Sequence, residues 1–311
     1  MLSAQRVNRP KKRRLASEQW QMTLLVLPGL LLFILFKYIP MFGVVIAFQD
    51  YDPTKGFLGS EWVGFENFEF FFRSQDAFRT IRNTVGYSMT FLVLDTVFAV
   101  AVALMLYCLR SNKSVKLYNT IMVLPRFMSM VLISFIVYVF LAPSTGVINT
   151  LRSQAGLSRI QWYLKANYWP FILTITHIWA TVGMGCIIYY ASLMGIDDSL
   201  FEAAMIDGAN RMQQIRHVAL PALIPIIIIQ TTLNMGHIFS GDFGLFYQVP
   251  MNVGILYRTT DIINTYTYRA LVDGNMQSST AVGLFQSLVG LVMVIITNLI
   301  VRRISPENSL F

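Results

Sequence analysis

The side chains in this sequence that could do chemistry are polar groups set singly into long apolar stretches, and what they offer is hydrogen bonding. In one stretch Gln230, Asn234 and His237 recur at i, i+4 and i+7, which puts them on one helical face. In the stretch before it Thr174, His177 and Thr181 form a second stripe, with Trp179 and Tyr189 elsewhere on the same helix, and Gln286 lies in the last apolar stretch. Counted inward from the outer ends at 1.5 Å per residue, His177, Asn234 and Gln286 each lie roughly 10 Å deep. Amides, imidazoles, hydroxyls and aromatic faces are the groups that recognise sugars. The same groups can also bond helix to helix as structural glue. Residue by residue both readings stay open; taken together, the convergence favours a hydrated path.

Covalent chemistry finds little support. No G-x-x-x-x-G-K loop is present to cradle a phosphate, so this chain is expected to bind no nucleotide or other cofactor itself. The three histidines lie in separate segments, and Cys108 and Cys186 both sit in apolar stretches, so neither a metal site nor a disulfide framework is expected. The adjacent Asp197 and Asp198 are weak candidates for the acidic ligands of a membrane-embedded transferase.

Two charges need separate treatment. Asp95 falls near the middle of the second apolar stretch, and Arg126 enters the third. A charge at such depth calls for a partner, and an arginine could bridge much of the difference in level. The expectation is a buried Asp95–Arg126 ion pair fixing two helices, with direct substrate contact as the lesser alternative.

The elements that must position these groups are dictated by composition. Of the 311 residues 55% are hydrophobic and 13% are charged, against about a quarter charged in soluble chains. That is the balance of a polytopic, all-α membrane protein. Six helical spans are expected, at about 22–47, 82–108, 118–141, 169–194, 220–240 and 278–301, with Pro28, Gly29 and Pro40 as bends in the first. Residues 1–20 form a basic tail containing Arg6, Arg9, Lys11, Lys12, Arg13 and Arg14, and residues 21–311 form the membrane domain. The tail suits anionic lipid better than nucleic acid, and the long first apolar run does not read as a cleaved signal. The excess of Lys and Arg in the short loops places both termini in the cytoplasm, although Arg152, Arg159 and Lys165 would then lie in an external loop. The segment from Gly241 to Gln277, with Tyr247, Tyr257, Tyr266 and Tyr268, would also be external: a contact surface for an extracytoplasmic protein, or a solvated loop over the cavity.

Between the fourth and fifth spans, residues 195–219 are polar yet carry helix signals. Ser199 with Glu202 reads as a capping box, Gly208 as a left-handed stop, Asn210 as a second cap, and Pro221 as a first-turn residue of the next helix. The pattern Glu202-Ala203-Ala204, Asp207-Gly208-Ala209 and Leu220-Pro221 resembles the EAA loop of permease subunits of binding-protein-dependent ABC importers. It departs at Ile215, where that family usually has an aromatic residue, and at Val218, usually isoleucine; both changes stay apolar. The stretches 37–72 and 261–311, ending in ENSLF, resemble the polysaccharide-type sugar permeases within that family. The resemblance implies a type I ABC importer permease fold in the cell membrane and a coupling role for the EAA-like residues. It also implies a second homologous permease subunit, two ATPase subunits that hold the ATP and magnesium, and an extracytoplasmic solute-binding protein. An ion-gradient-driven secondary transporter is the rival reading; it predicts internal repeats, which are not evident.

Overall fold

The structure, a computed structural model, describes residues 12–109, 111–304 and Pro306. Most of the basic tail, Arg110 and the terminal ENSLF lie outside the described residues. The first helix, α1 (Lys12–Phe33), runs on through a wide turn at Ile34–Tyr38 into a tight helical segment at Ile39–Phe48. Pro40 causes this change of winding: it brings no N–H to the ladder, and its ring crowds the preceding turn. Only 11% of this span's most apolar window is buried. A two-residue strand, β1 (Gln49–Asp50), then pairs antiparallel with β2 (Glu61–Trp62). Helix α2 (Glu66–Arg73) leads into α3 (Gln75–Tyr107), which Ser74 caps by accepting from the Ala77 N–H. At 33 residues, α3 is about 50 Å long, so its first turns extend beyond a hydrocarbon core of about 30 Å.

The third span is not the single helix expected over 118–141. It is a pair, α4 (Asn112–Val123) and α5 (Met130–Leu141), bent by 101° at the break. Pro125 interrupts the backbone ladder, and Ser129 starts the next helix by accepting from the Leu132 N–H. Arg126 sits in this break.

Helix α6 (Trp169–Met194) matches the expected fourth span. After it come α7 (Asp198–Ile206), a short turn at Arg211–Gln214, and α8 (Leu220–Met235). The fifth candidate span therefore begins at Arg211 and ends at Met235, earlier than expected at both ends. The segment after α8 is not a solvated loop. It folds into α9 (Phe243–Gln248) and α10 (Ile263–Val272) and buries Leu245, Phe246, Val249, Leu256, Ile262 and Ile263. The last helix is α11 (Met276–Ile304). Among the described residues, five helices are long and apolar enough to cross a membrane, six if the bent pair is one span.

Packing places the site. Helices α3 and α6 approach closely where Ala99 on one meets Gly185 on the other, and Gly183 lets α6 lie against the backbone of α4. A Cβ on Gly185 would stand 3.2 Å from that of Ala99, and one on Gly183 would stand 1.9 Å from the Met122 carbonyl oxygen. Along this pair lie two apolar cores. One gathers Phe91, Ile133, Trp169, Leu173 and Phe246. The other gathers Ala99, Ala103, Cys186, Leu193 and Leu223. Asp95 and Thr181 fall in sequence between the two, and His177 stands within the first, between Leu173 and Ala180; together they form a polar layer at the junction of the cores.

Candidate functional site

The polar layer is organised by Asp95. His177 Nε2 lies 2.9 Å from Asp95 Oδ2, and Thr181 Oγ1 lies 3.1 Å from Asp95 Oδ1. A carboxylate can only accept, so in this contact Nε2 is the donor. The Thr181 hydroxyl is also 2.8 Å from the His177 carbonyl, and its single proton serves one acceptor at a time. The imidazole stacks flat on Phe91, ring centroids 3.8 Å apart, which fixes its plane. The expected Asp95–Arg126 ion pair is therefore not formed. The carboxylate is taken by two residues of α6, a helix turn apart, while Arg126 stands in the break between α4 and α5.

Two adjoining cavities share Asp95 and Asn234 in their walls. The first, about 190 Å³, also meets His177, His237 and Asp242. The second, about 230 Å³, also meets Arg126, Thr181, Tyr189 and Gln230. A third, about 480 Å³, lies between α8 and α11 and meets His237 and Gln286. Most of the polar residues singled out by spacing thus line these adjoining cavities. Trp179 is different: it is 40% exposed on the outer side of α6 and lines none of these cavities. Gln286 spends its amide N–H groups on helix contacts, donating to the Phe239 carbonyl at 2.6 Å and to Asn264 Oδ1 at 2.7 Å.

The Asp95–His177 contact makes a direct prediction. Asp95→Asn and His177→Gln should each destabilise the protein, and the double variant should lose less than the sum, with a coupling of about 1–2 kcal/mol. Thermal melting in detergent measures it. Additive losses there, or strong coupling between Asp95→Asn and Arg126→Gln instead, would contradict this assignment.

The polar segment after α6 forms an elbow. Its first helix starts earlier than expected. Asp197, not Ser199, is the cap, its carboxylate accepting from the Ser199 N–H at 2.9 Å. That bond holds Asp197 below the usual carboxylate range. The helix ends at Gly208 with φ of +78°, and the Ala209 N–H reaches back to the Ala204 carbonyl at 2.9 Å. Asn210 and Gln213 then cap the next turn reciprocally, at 2.9 and 2.7 Å. Glu202, Ala203, Met205, Ile206, Asp207 and Gly208 are exposed; Ala204, Ala209 and Leu220 are half-buried, and Pro221 is exposed in the first turn of α8. The elbow is tied to the bundle by Arg211, which donates to the Cys108 carbonyl at 3.4 Å, and by the Phe201 ring against Tyr107.

Sequence spacing missed one constellation. Asp261 is buried between Arg79 Nη2 at 2.9 Å and Arg269 Nη2 at 2.5 Å, with Thr265 Oγ1 donating at 2.8 Å. Asn83 donates to the Asp261 carbonyl at 2.9 Å, and Arg269 lies 4.1 Å over the Tyr257 ring. Arg79 and Asp261 are 182 positions apart, so no local pattern could join them.

Comparison with known proteins gives a consistent result. Residues 97–306 match the family described as binding-protein-dependent transport system inner membrane component. The chain is 36% identical over 300 residues to Protein LplB of Bacillus subtilis (strain 168), covering 94% of this chain and 92% of that one. It is 34% identical over 292 residues to the polygalacturonan/rhamnogalacturonan transport system permease protein YteP of the same organism, covering 94% and 90%. Among solved structures it is similar, at a TM-score of 0.84 and 33% identity, to a chain of a bacterial ABC transporter involved in the import of the acidic polysaccharide alginate; the match covers 93% of this chain and 97% of that one. A second structure of a bacterial alginate ABC transporter, in complex with alginate pentasaccharide-bound periplasmic protein, matches at a TM-score of 0.83 and 33% identity, covering 93% and 96%.

Proposed function

The chain belongs to the binding-protein-dependent transport system inner membrane component family and is a multi-pass sugar ABC permease, and from that premise we propose that it is the passive half of an ATP-driven importer carrying an oligo- or polysaccharide into the cytoplasm. Relatives named for polygalacturonan/rhamnogalacturonan and alginate transport support a polymeric sugar cargo. The observation that carries the mechanical part of the reading is the elbow at 197–214. A capped helix whose end exposes Met205 and Ile206 side by side and closes on a left-handed glycine is a shape made to seat in another protein.

In this reading both termini and the elbow face the cytoplasm, and the ATP and magnesium belong to two partner ATPase subunits. Closure of those subunits pushes on α7. The push reaches α3 through the Arg211–Cys108 and Phe201–Tyr107 contacts and reaches α8 through the turn at Arg211–Gln214. A second, homologous permease completes the path. Each cavity around Asp95 is smaller than the roughly 300 Å³ of an ordinary small-molecule site, as one wall of a shared channel would be. A solute-binding protein outside delivers the sugar, and the folded segment 241–277, with Tyr268 exposed, is the surface offered to it.

Reconstitution into vesicles tests the reading. Uptake of a polygalacturonate or alginate oligosaccharide should require the partner permease, the ATPase, the binding protein and ATP, and should survive collapse of proton and sodium gradients. Uptake by this chain without nucleotide, driven by an ion gradient, would overturn it.

A further inference from the structure

Arg126 is the residue whose position asks for an explanation beyond the fold. Its guanidinium is exposed, and among the described residues it has no ion-pair or hydrogen-bond partner. It is carried by the tight turn Leu124–Phe127, where Pro125 has broken the helix, and it lines the second cavity with Asp95, Gln230, Asn234 and Tyr189. An arginine set this far into a membrane protein is costly unless it meets an anion or a wetted path. The obvious internal anion, Asp95, faces His177 and Thr181 of α6 and forms no ion pair with Arg126.

We infer that Arg126 is a carboxylate-binding group of the cargo path, selecting acidic sugars over neutral ones. The inference rests on the saccharide-permease reading and deepens it. A guanidinium offers a planar fork of N–H donors that matches a carboxylate two-to-two, and such charge-assisted pairs are about twice as strong as neutral hydrogen bonds. The rest of the wall suits the remainder of a uronic acid unit. Gln230 and Asn234 can donate to and accept from ring hydroxyls, Tyr189 contributes an aromatic ring, and the exposed part of Asp95 accepts hydroxyl protons. Asp95 also sets the limit of the site: a carboxylate placed on its side of the cavity is repelled, so an acidic unit is held with its carboxylate towards the α4–α5 break. The cavity thus distinguishes the orientation of the unit as well as its charge.

The test uses the assembled, nucleotide-free permease–ATPase complex and two probes, trigalacturonate and its fully methyl-esterified form, with binding measured by equilibrium dialysis. Wild type should prefer the charged probe. Arg126→Gln should weaken trigalacturonate by at least about tenfold more than it weakens the ester. Arg126→Lys keeps the charge without the fork and should fall between the two, which separates lost recognition from a lost fold. Equal losses for both probes, or none for either, would overturn the role of Arg126. A wild-type complex that binds the ester as well as the acid would overturn it while leaving the saccharide reading intact. If wild type bound neither probe, both would fall together.

Discussion

Gly208→Arg is expected to release the ATPase from the purified complex and to abolish ATP-driven uptake while leaving this chain folded. Gly208 ends α7 at φ of +78°, and a Cβ there would meet nothing within 4 Å. A side chain at this position therefore costs the protein only the left-handed backbone penalty, about 1–2 kcal/mol. It also pushes a long charged group out of the exposed elbow beside Met205 and Ile206. At a seated helix end, such an intrusion is expected to cost about 2 kcal/mol or more of binding, roughly a thirtyfold loss of ATPase retention. Gly208→Ala is the control, since it carries the strain without the bulk and should keep most of the ATPase. Glu202→Lys, which reverses an exposed charge on the same helix, should fall between them. Co-purification and vesicle uptake read all three. Undiminished ATPase retention with Gly208→Arg would remove the coupling role from this elbow.

Asp261→Ala is expected to have the largest effect on stability. The carboxylate has no exposed surface and holds two guanidiniums, one from the start of α3 and one from α10. Removing one partner of a buried pair typically costs about 3–5 kcal/mol because the other charge is left behind without compensation. Arg79 keeps Asp76 at 2.8 Å, and Arg79 and Arg269 retain 29% and 21% side-chain exposure, so the lower end, about 3 kcal/mol, is expected. Asp261→Asn keeps the shape and the Thr265 contact but not the charge, and should lose slightly less. The measurement is melting of the purified protein, read by tryptophan fluorescence and by protease access to the 241–277 segment. That segment should loosen before the α3–α6 pair, whose close packing rests on small residues further along α3. A loss below about 1 kcal/mol would mean that the segment is held by its apolar residues alone.

The elbow is the most legible part of the chain. Its geometry depends on local rules: Asn210 caps because its side chain reaches an N–H three residues on, and Gly208 takes a left-handed turn because it has no Cβ. Reading Ser199 as the cap puts the helix start too late, because Asp197 and Ser199 are both good caps and nothing nearby ranks them. The break at Pro125 is legible but outweighed by apolar length, since the greasy stretch 118–141 reads as one span even though it holds a proline and a capping serine.

The sequence alone determined the features set by composition and by neighbours within a few positions: most of the helical spans, the polar stripe on α6, the Gln230–Asn234 pair on α8, and the helix–glycine–helix elbow, whereas His237 lies in the turn past the end of α8. The tertiary structure decided who partners whom. Asp95 goes to His177 rather than to Arg126, because small residues bring α3 and α6 together while the bend at Pro125 sets Arg126 to one side. Asp261 goes to Arg79 across most of the chain, because the segment after α8 folds back over the start of α3. Periodicity tells which face a residue is on; only the packing of one helix against another tells what that face meets.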